Sequence, residues 1–268
     1  MKKLLTICVL TIMGVSQSLA EDVRVDGIAY NIIDEVNSYV EVTTGCNNIF
    51  GNYVIPAYVE DGDTRYKVKR IGDSAFFYQA NVQTIEIKDG LSEIKDWGIS
   101  YNPNLTSLKL PKTLRTLGNG ALCNNQKLAS LIFPEGLASI ETYTCMSCTS
   151  LSDITLPSTL TSIRKGAFQG CPVANVYCYA TVPPTLSSKV FDSYEGITLH
   201  VLPGCAAAYE EDYNWGQCTI VEDCGEETTR VANVQLSSAA KNTTYDLSCK
   251  GVRSAKGVLI QSGKKILK

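Results

Sequence analysis

The chain has 268 residues and a formal net charge of −3, with 44% hydrophobic and 19% charged residues. The charge is uneven: residues 21–230 contain 15 Lys and Arg against 26 Asp and Glu, whereas residues 231–268 contain 7 against 1. A mostly acidic body argues against nucleic acid as the partner, since phosphate contacts need clustered Lys and Arg.

The first 20 residues have the features of a secretory signal peptide. Lys2 and Lys3 precede an apolar run from Leu4 to Val15, and Ser18-Leu19-Ala20 has the small-x-small form of a cleavage site. No later stretch approaches the roughly 18 apolar residues that a membrane span needs. Glu21 follows the cleavage site, where a lipoprotein would have a cysteine. We expect residues 1–20 to be removed and the mature chain to be exported, without a transmembrane segment.

Residues 21–68 have the pattern of short β-strands. Tyr39–Val42 alternates apolar and polar side chains, and Asp61-Gly62 is a dipeptide typical of tight turns. We predict an irregular N-terminal β cap and a first partial repeat over residues 21–68.

Residues 69–180 repeat with a fixed period of 23 residues. Three columns of equivalent positions keep this spacing, two of them apolar and one made mostly of small residues. The columns are Ile71, Ile94, Leu117, Ile140 and Ile163; Ile87, Leu110, Phe133 and Leu156; and Ala75, Gly98, Ala121, Thr144 and Ala167. A period of this length is typical of a solenoid, in which each turn is one structural unit.

Each repeat contains one strand pattern. In the copy from Leu105 to Leu110 the last residues alternate between apolar and polar, and Pro111 then ends the strand because proline has no N–H to donate. A single turn cannot bury its apolar face, so neighbouring turns must stack with their strands about 4.8 Å apart. We predict a mostly β solenoid with a continuous parallel sheet along one side.

Residues 181–230 are predicted to form a terminal cap that is similar to a repeat. Ile197–Pro203 again joins a strand pattern to a proline, and Thr181-Val-Pro-Pro184 breaks the chain before it. The basic residues 231–268 are a separate C-terminal segment.

These residues resemble the BspA-like bacterial leucine-rich-repeat family, in which an apolar strand and Pro are followed by Ile-Gly and then by Ala-Phe-x-x-Cys. Ile71–Phe76 and Ile163–Cys171 follow this pattern, whereas Trp97-Gly-Ile99, Ala121-Leu122 and Thr144-Cys145 replace Ala-Phe in the middle copies. The resemblance covers residues 40–223. It implies a leucine-rich-repeat solenoid with β-rich caps at both ends, exported to the bacterial outer surface, where such proteins are proposed to attach to host proteins or to other cells.

The C-terminal segment resembles the end of sorting domains used in type IX secretion, at Tyr245–Ser248, Lys256–Ile260 and Gly263–Lys268. It departs from them at Cys249-Lys250, where Gly-Arg is usual. A plain basic β-hairpin is the alternative.

The sequence contains no arrangement of residues typical of an enzyme. His200 is the only histidine, and its strand pattern favours a structural or exposed role. No nucleophile elbow, phosphate loop or His-Glu-x-x-His motif occurs. We predict no catalytic activity, no cofactor and no metal site. An enzyme would need a deep pocket that joins carboxylates of the cap to the sheet edge.

The cysteines allow more than one interpretation. Cys145-x-x-Cys148 alone is compatible with metal or redox chemistry, but Cys148 and Cys171 are 23 residues apart and should lie side by side on consecutive turns. They can form a disulfide or simply pack. Since the resembled family uses this cysteine as a small buried residue, we favour packing. One disulfide among Cys205, Cys218 and Cys224 is also plausible in an exported protein.

Two stripes of side chains should point outward from the parallel sheet, because they alternate with the buried strand residues. The first stripe is Thr84, Ser107, Ser130, Asp153 and Asn175, and the second is Glu86, Lys109, Ile132, Thr155 and Tyr177. An apolar and an aromatic side chain beside small polar groups make a usable contact surface.

We therefore predict a monomeric cell-surface protein that binds a protein partner, of host or bacterial origin, or a glycan through these two stripes. The alternative is a structural or display solenoid without a specific ligand.

Overall fold

The computed structural model describes residues 23–46 and 50–225 and the backbone of two strands near the C-terminus. The expected signal peptide, residues 1–20, and most of residues 231–268 lie outside the described residues. Two compact units are present, Met1–Cys224 and Gly225–Lys268. In chain order the strands are β1 (Val23–Val25), β2 (Ile28–Asp34), β3 (Tyr39–Val42), β4 (Gly51–Ile55), β5 (Tyr58–Asp61), β6 (Thr64–Ile71), β7 (Val82–Ile87), β8 (Glu93–Ile94), β9 (Ser107–Lys109), β10 (Thr116–Leu117), β11 (Ser130–Ile132), β12 (Ser139–Ile140), β13 (Asp153–Leu156), β14 (Ser162–Ile163), β15 (Asn175–Cys178), β16 (Thr185–Leu186), β17 (Thr198–Val201), β18 (Thr219–Glu222), β19 (Val258–Gln261) and β20 (Lys264–Leu267).

The N-terminal cap is rich in strands, as its alternating sequence predicts. β1, β2 and β3 pair antiparallel in order, and β5 pairs antiparallel with β6 across the turn that contains Gly62. β3 then pairs parallel with β6, which joins the cap to the repeats. β6 runs through the predicted boundary at residue 68, so the cap and the first turn share a strand.

Parallel pairing of successive turns builds the body of the molecule. One series of ladders contains β4–β7–β9 and then β11–β13–β15–β17–β18. A second series of two-residue strands continues from β6 through β8 and β10, and then through β12, β14 and β16. The predicted parallel sheet is present, but its ladder is divided between β9 and β11, and the second series was not predicted.

From β7 to β17 the register follows the 23-residue period with one shortened turn, and β18 pairs with β17 at an offset of 21 residues. Ser130 pairs with Asp153, 23 residues later, whereas Asp153 pairs with Asn175, only 22 residues later. The missing residue falls between Cys171 and Asn175, where the loop is one residue shorter than in the preceding turn. Inward side chains therefore stay in register, and the apolar columns form one core.

The terminal cap contains a short helix, α1 (Ala206–Glu210), and a 3-10 turn at Trp215–Gln217 between β17 and β18. The cap was predicted as β-rich, so this helical part is an addition. Tyr209 and Trp215 are fully buried: the Tyr209 hydroxyl donates to the Ala180 carbonyl at 2.7 Å, and the Trp215 indole N–H donates to the Pro184 carbonyl at 2.9 Å. These two bonds satisfy the polar ends of both rings.

In the C-terminal unit β19 and β20 pair antiparallel. Both strands lie in the predicted segment 231–268, and the rest of that segment lies outside the described residues. Across the part of the chain that is described, no helix has the length and apolar character needed to cross a bilayer.

Candidate functional site

The two predicted stripes are aligned along the first ladder series. Thr84 pairs with Ser107 and Glu86 with Lys109 on one side of the gap in the ladder. On the other side Ser130, Asp153 and Asn175 form one row, and Ile132, Thr155 and Tyr177 form the next. All ten side chains are at least partly exposed. The structure brings them to one face, in two groups separated at β9 and β11.

The N-terminal group is held by its own polar contacts. The Glu86 carboxylate accepts hydrogen bonds from Lys88 Nζ at 2.8 Å and from Lys109 Nζ at 2.9 Å, and these bonds hold the pKa of Glu86 below its usual value. The Thr84 hydroxyl donates to Asn52 Oδ1 at 2.9 Å. These charges already have partners within the chain, so this half of the face offers few unpaired groups.

The C-terminal group combines apolar and aromatic surface. Ile132 is 39% exposed, which is high for a large aliphatic side chain on a strand. Tyr177 stacks on His200, with ring centroids 4.3 Å apart and an interplanar angle of 15°. Asn175 donates from Nδ2 to Asp153 Oδ1 at 2.8 Å, and Asp153 also accepts from the Ser152 hydroxyl.

His200 supports the face from within β17. Its side chain is 14% exposed, its Nδ1 lies 2.7 Å from Asp223 Oδ1, and its buried Nε2 has no hydrogen-bond partner among the described residues. We assign the proton to Nδ1, which donates to Asp223, because a buried unpaired N–H costs more than a bare ring nitrogen beside an aromatic ring. Asp223 holds the imidazole ring, and the stacked ring in turn orients Tyr177. This agrees with the structural role expected for this histidine.

The face extends beyond the predicted stripes at both ends. The first stripe continues through Thr198 and Thr219, and the second through His200 and Val221. The strand and proline pattern at Ile197–Pro203 was a signal for this extension, because His200 lies one period after Tyr177. At the other end Asn52 and Val54 pair with Thr84 and Glu86. This extension had no signal, because the first turn is 32 residues long at this register.

The corner cysteines act as small hydrogen-bonding core residues. Cys148 Sγ donates to the Leu122 carbonyl at 3.3 Å, and Cys171 Sγ donates to the Cys145 carbonyl at 3.0 Å. One turn earlier the same position is Asn125, whose amide also donates to the Leu122 carbonyl, at 2.7 Å. Both thiols are free, which agrees with the packing interpretation.

The environment of Cys145 and Cys148 disfavours metal binding at Cys145-x-x-Cys148. Burial raises the pKa of Cys145, and a hydrogen bond with Cys171, reinforced by burial, raises that of Cys148. Metal binding needs the thiolate, which these shifts disfavour. Within residues 23–46 and 50–225, no three His, Cys, Asp or Glu side chains are placed to hold a metal ion.

The disulfide considered for the terminal cap is absent: Cys205, Cys218 and Cys224 are all free thiols. Cys224 Sγ instead donates to the His200 carbonyl at 3.1 Å, which directs it toward β17. Burial raises the pKa of Cys218 to about 11 and that of Cys224 to about 12.

Stacked 23-residue turns with one parallel face define a leucine-rich-repeat solenoid. A family model described as BspA type leucine rich repeat region matches six copies over residues 59–195. The chain belongs to this family, and both the family assignment and the fold class predicted from the sequence are confirmed.

Solved structures with similar folds include bacterial leucine-rich-repeat proteins. A leucine-rich-repeat protein from T. pallidum is 19% identical, the match covers 67% of this chain and 80% of that chain, and the TM-score is 0.55. A leucine-rich cell surface protein from Faecalibacterium prausnitzii A2-165 is 18% identical, with 76% of this chain and 55% of that chain covered and a TM-score of 0.45. No curated protein matches this chain. None of the matches indicates an enzymatic family.

Proposed function

We propose that this chain is an exported bacterial surface protein that binds a protein partner through the C-terminal half of its outer sheet face. The observation that carries the proposal is the row Ile132, Thr155, Tyr177, His200 and Val221 across paired strands, in which every side chain except that of Thr155 is apolar or aromatic. A few anchor side chains, with tyrosine among the most frequent, supply most of the binding energy of protein interfaces.

The support beneath this row makes it suitable for recognition. Tyr177 rests on the His200 ring, and Asp223 fixes that ring through Nδ1. A side chain held in one orientation before binding loses little conformational entropy when the partner arrives. The first stripe flanks the row with small polar groups such as Thr198, which serve as a polar rim. The partner is a protein of the host or of another bacterial surface, and the chain acts as a monomer.

The experiment begins with a pull-down by the mature chain, followed by quantitative attachment to the captured protein. Ile132→Asp and Tyr177→Asp should each weaken attachment at least about tenfold, because a carboxylate would be desolvated at the centre of the contact. Val182→Asp is the matched control, since Val182 is 73% exposed and lies outside the sheet strands.

Attachment that survives both sheet-face substitutions would remove this face as the site. A mature chain that captures no partner would favour the alternative, a solenoid that only spaces or displays other parts. That alternative is consistent with the N-terminal group of the face, where Glu86, Lys88 and Lys109 already satisfy one another.

A further inference from the structure

A second exposed surface lies at the corners of two successive turns. Phe77, Tyr78 and Tyr101 are 46%, 64% and 37% exposed, although most aromatic rings of this molecule are buried or half-buried. The Phe77 and Tyr101 ring centroids are 4.9 Å apart, and Trp97 extends the cluster at 6.5 Å from Tyr101. Phe77, Trp97 and Tyr101 form one aromatic cluster across the two corners, and the exposed Tyr78 follows Phe77 in the chain; we call these four residues the aromatic platform.

The backbone beneath the platform is unusual. Tyr78, Trp97 and Tyr101 have φ values of +55°, +58° and +60°, in the left-handed region that bulky residues rarely adopt. Later turns place glycine at equivalent corners, Gly120 at the Trp97 position and Gly170 at the Tyr101 position. Folding the corner therefore does not require aromatic side chains.

Trp97 also packs against the next turn. Its ring lies over Gly120 of the next turn, where a Cβ would come within 2.9 Å of the ring carbons. Tyr78 is the most exposed ring of the platform and has the same unfavourable positive φ. Its side chain therefore adds little packing energy to offset the backbone strain. An aromatic residue that is exposed to water at an unfavourable φ is a candidate contact residue.

A polar cavity of about 240 Å³ is lined by residues that follow the two aromatic corners along the chain. Its lining residues are Ala80, Asn81, Gln83, Asn104, Thr106 and Lys127. It begins two residues after Tyr78 along the chain, and Asn104 bridges its walls: Nδ2 donates to the Ala80 carbonyl at 2.7 Å, and Oδ1 accepts from Lys127 Nζ at 2.7 Å. Amide, hydroxyl and ammonium groups thus line a cavity whose walls begin two residues after Tyr78 and three residues after Tyr101.

We propose that this corner surface is a glycan-binding site, separate from the C-terminal half of the sheet face that is proposed to bind a protein. A pyranose ring has an apolar C–H face, which stacks on aromatic rings, and a rim of hydroxyl groups, which pair with planar amides. Phe77, Tyr78 and Tyr101 supply the stacking surface, and the Asn81 and Gln83 amides face the hydroxyl groups. The polar lining of the cavity favours a hydroxyl-rich ligand over the apolar side chains that anchor a protein interface.

The test uses the mature chain on an array of defined oligosaccharides from mammalian mucins and bacterial polysaccharides. The best-binding oligosaccharide is then titrated in solution by tryptophan fluorescence. The chain has two tryptophans, and Trp215 is fully buried in the terminal cap. Binding should therefore change the emission of Trp97, which lies beside Tyr101, and the change should vanish in Trp97→Phe.

Two pairs of substitutions separate the platform from the cavity. Phe77→Ser with Tyr78→Asn removes two rings while giving residue 78 the asparagine that Asn124 already has at φ +56°. Asn81→Ala with Gln83→Ala removes the two exposed amides. Each pair should weaken oligosaccharide binding at least about tenfold. Tyr213→Ala, at an 87% exposed tyrosine of the terminal cap, is the control that should bind as the parent does.

Three outcomes would overturn the proposal: no oligosaccharide is bound, one is bound equally by both double variants, or the platform substitutions abolish capture of a protein and leave oligosaccharide binding intact. The sheet-face variants Ile132→Asp and Tyr177→Asp distinguish this site from the proposed protein-binding face, since they should leave oligosaccharide binding unchanged.

Discussion

At the corners of successive turns, one side-chain position changes from asparagine to cysteine and keeps a hydrogen bond to the preceding turn. Asn102 and Asn125 are fully buried, and Asn125 Oδ1 accepts from the Asn102 N–H at 3.1 Å. Cys148 keeps a donated bond to the preceding turn, at the Leu122 carbonyl. Asparagine and cysteine therefore both connect this position to the preceding turn, and Asn125 adds an amide bond to the Leu122 carbonyl of its own turn.

Asn125→Ala should lower the free energy of unfolding by about 3 kcal/mol or more, because the loss of each partner of a buried polar group costs about 1 to 3 kcal/mol. The substitution leaves the Ile99 carbonyl and the Asn102 N–H without these bonds and removes one of the two donors to the Leu122 carbonyl. Urea denaturation measures the change. Asn119→Ala, at an exposed asparagine, should stay within about 0.5 kcal/mol of the parent. Equal effects at the two positions would contradict this account.

Buried thiols also make stability depend on alkaline pH. Burial raises the pKa of Cys218 from 9.0 to about 11 and that of Cys224 from 9.0 to about 12. Above pH 9 the unfolded chain loses these protons while the native chain keeps them, so the free energy of unfolding falls as the pH rises toward 11. Urea titrations across this range should show the fall, and Cys218→Ala with Cys224→Ala should reduce its slope. A parent chain with the same stability at pH 9 and 11 would refute the thiol burial.

The backbone conformation of the aromatic corner residues could not be predicted from the sequence. Tyr78 and Tyr101 occupy left-handed positions that hold Asn124, Ser147 and Gly170 in later turns. A glycine at such a position signals a positive φ, but a tyrosine does not. Only the three-dimensional arrangement reveals that these rings are exposed together.

At the scale of strands, the sequence was most informative where one pattern recurs. Leu108, Leu131 and Ile154 alternate with outward residues at a fixed period, so their strands and inward faces followed directly. The gap between β9 and β11 could not be foreseen, because the apolar columns continue unbroken through it. The helix α1 was also missed, since a five-residue Ala-rich segment is too short for helical periodicity to show.

Trp215 anchors the terminal cap to the core of the solenoid. Trp215 is fully buried, contacts the Phe191 and Tyr209 rings edge-on at 6.1 Å, and donates to the Pro184 carbonyl. Trp215→Ala should destabilise the solenoid by about 3 to 5 kcal/mol, as expected for truncation of a buried aromatic residue. Trp215→Phe should cost less, since it keeps most of the packing and loses the N–H. Thermal unfolding followed by circular dichroism ranks the variants, and a neutral Trp215→Ala would show that the cap does not seal the core.

At the scale of the whole molecule, each turn contacts mainly its neighbours, so a complete turn can in principle be removed. Deleting residues 142–164 joins Glu141 to Lys165 and removes β13 and β14. It leaves β11 to face β15 with the 22-residue offset that β13 now has. The apolar columns stay aligned, and Cys171 falls directly after Asn125 in the corner column.

This 23-residue deletion should still unfold in one cooperative urea transition, with a smaller m value because less surface is exposed on unfolding. Deleting Thr155 alone should lower the stability of the fold more than the 23-residue deletion does, although it removes only one residue. Side chains alternate between faces, so the deletion drives Leu156 outward or shifts Ile154 from the core, and either exposes buried apolar surface. A Thr155 deletion that unfolds as cooperatively as the parent, beside a 23-residue deletion that does not fold, would show that long-range contacts rather than stacked turns hold the molecule together.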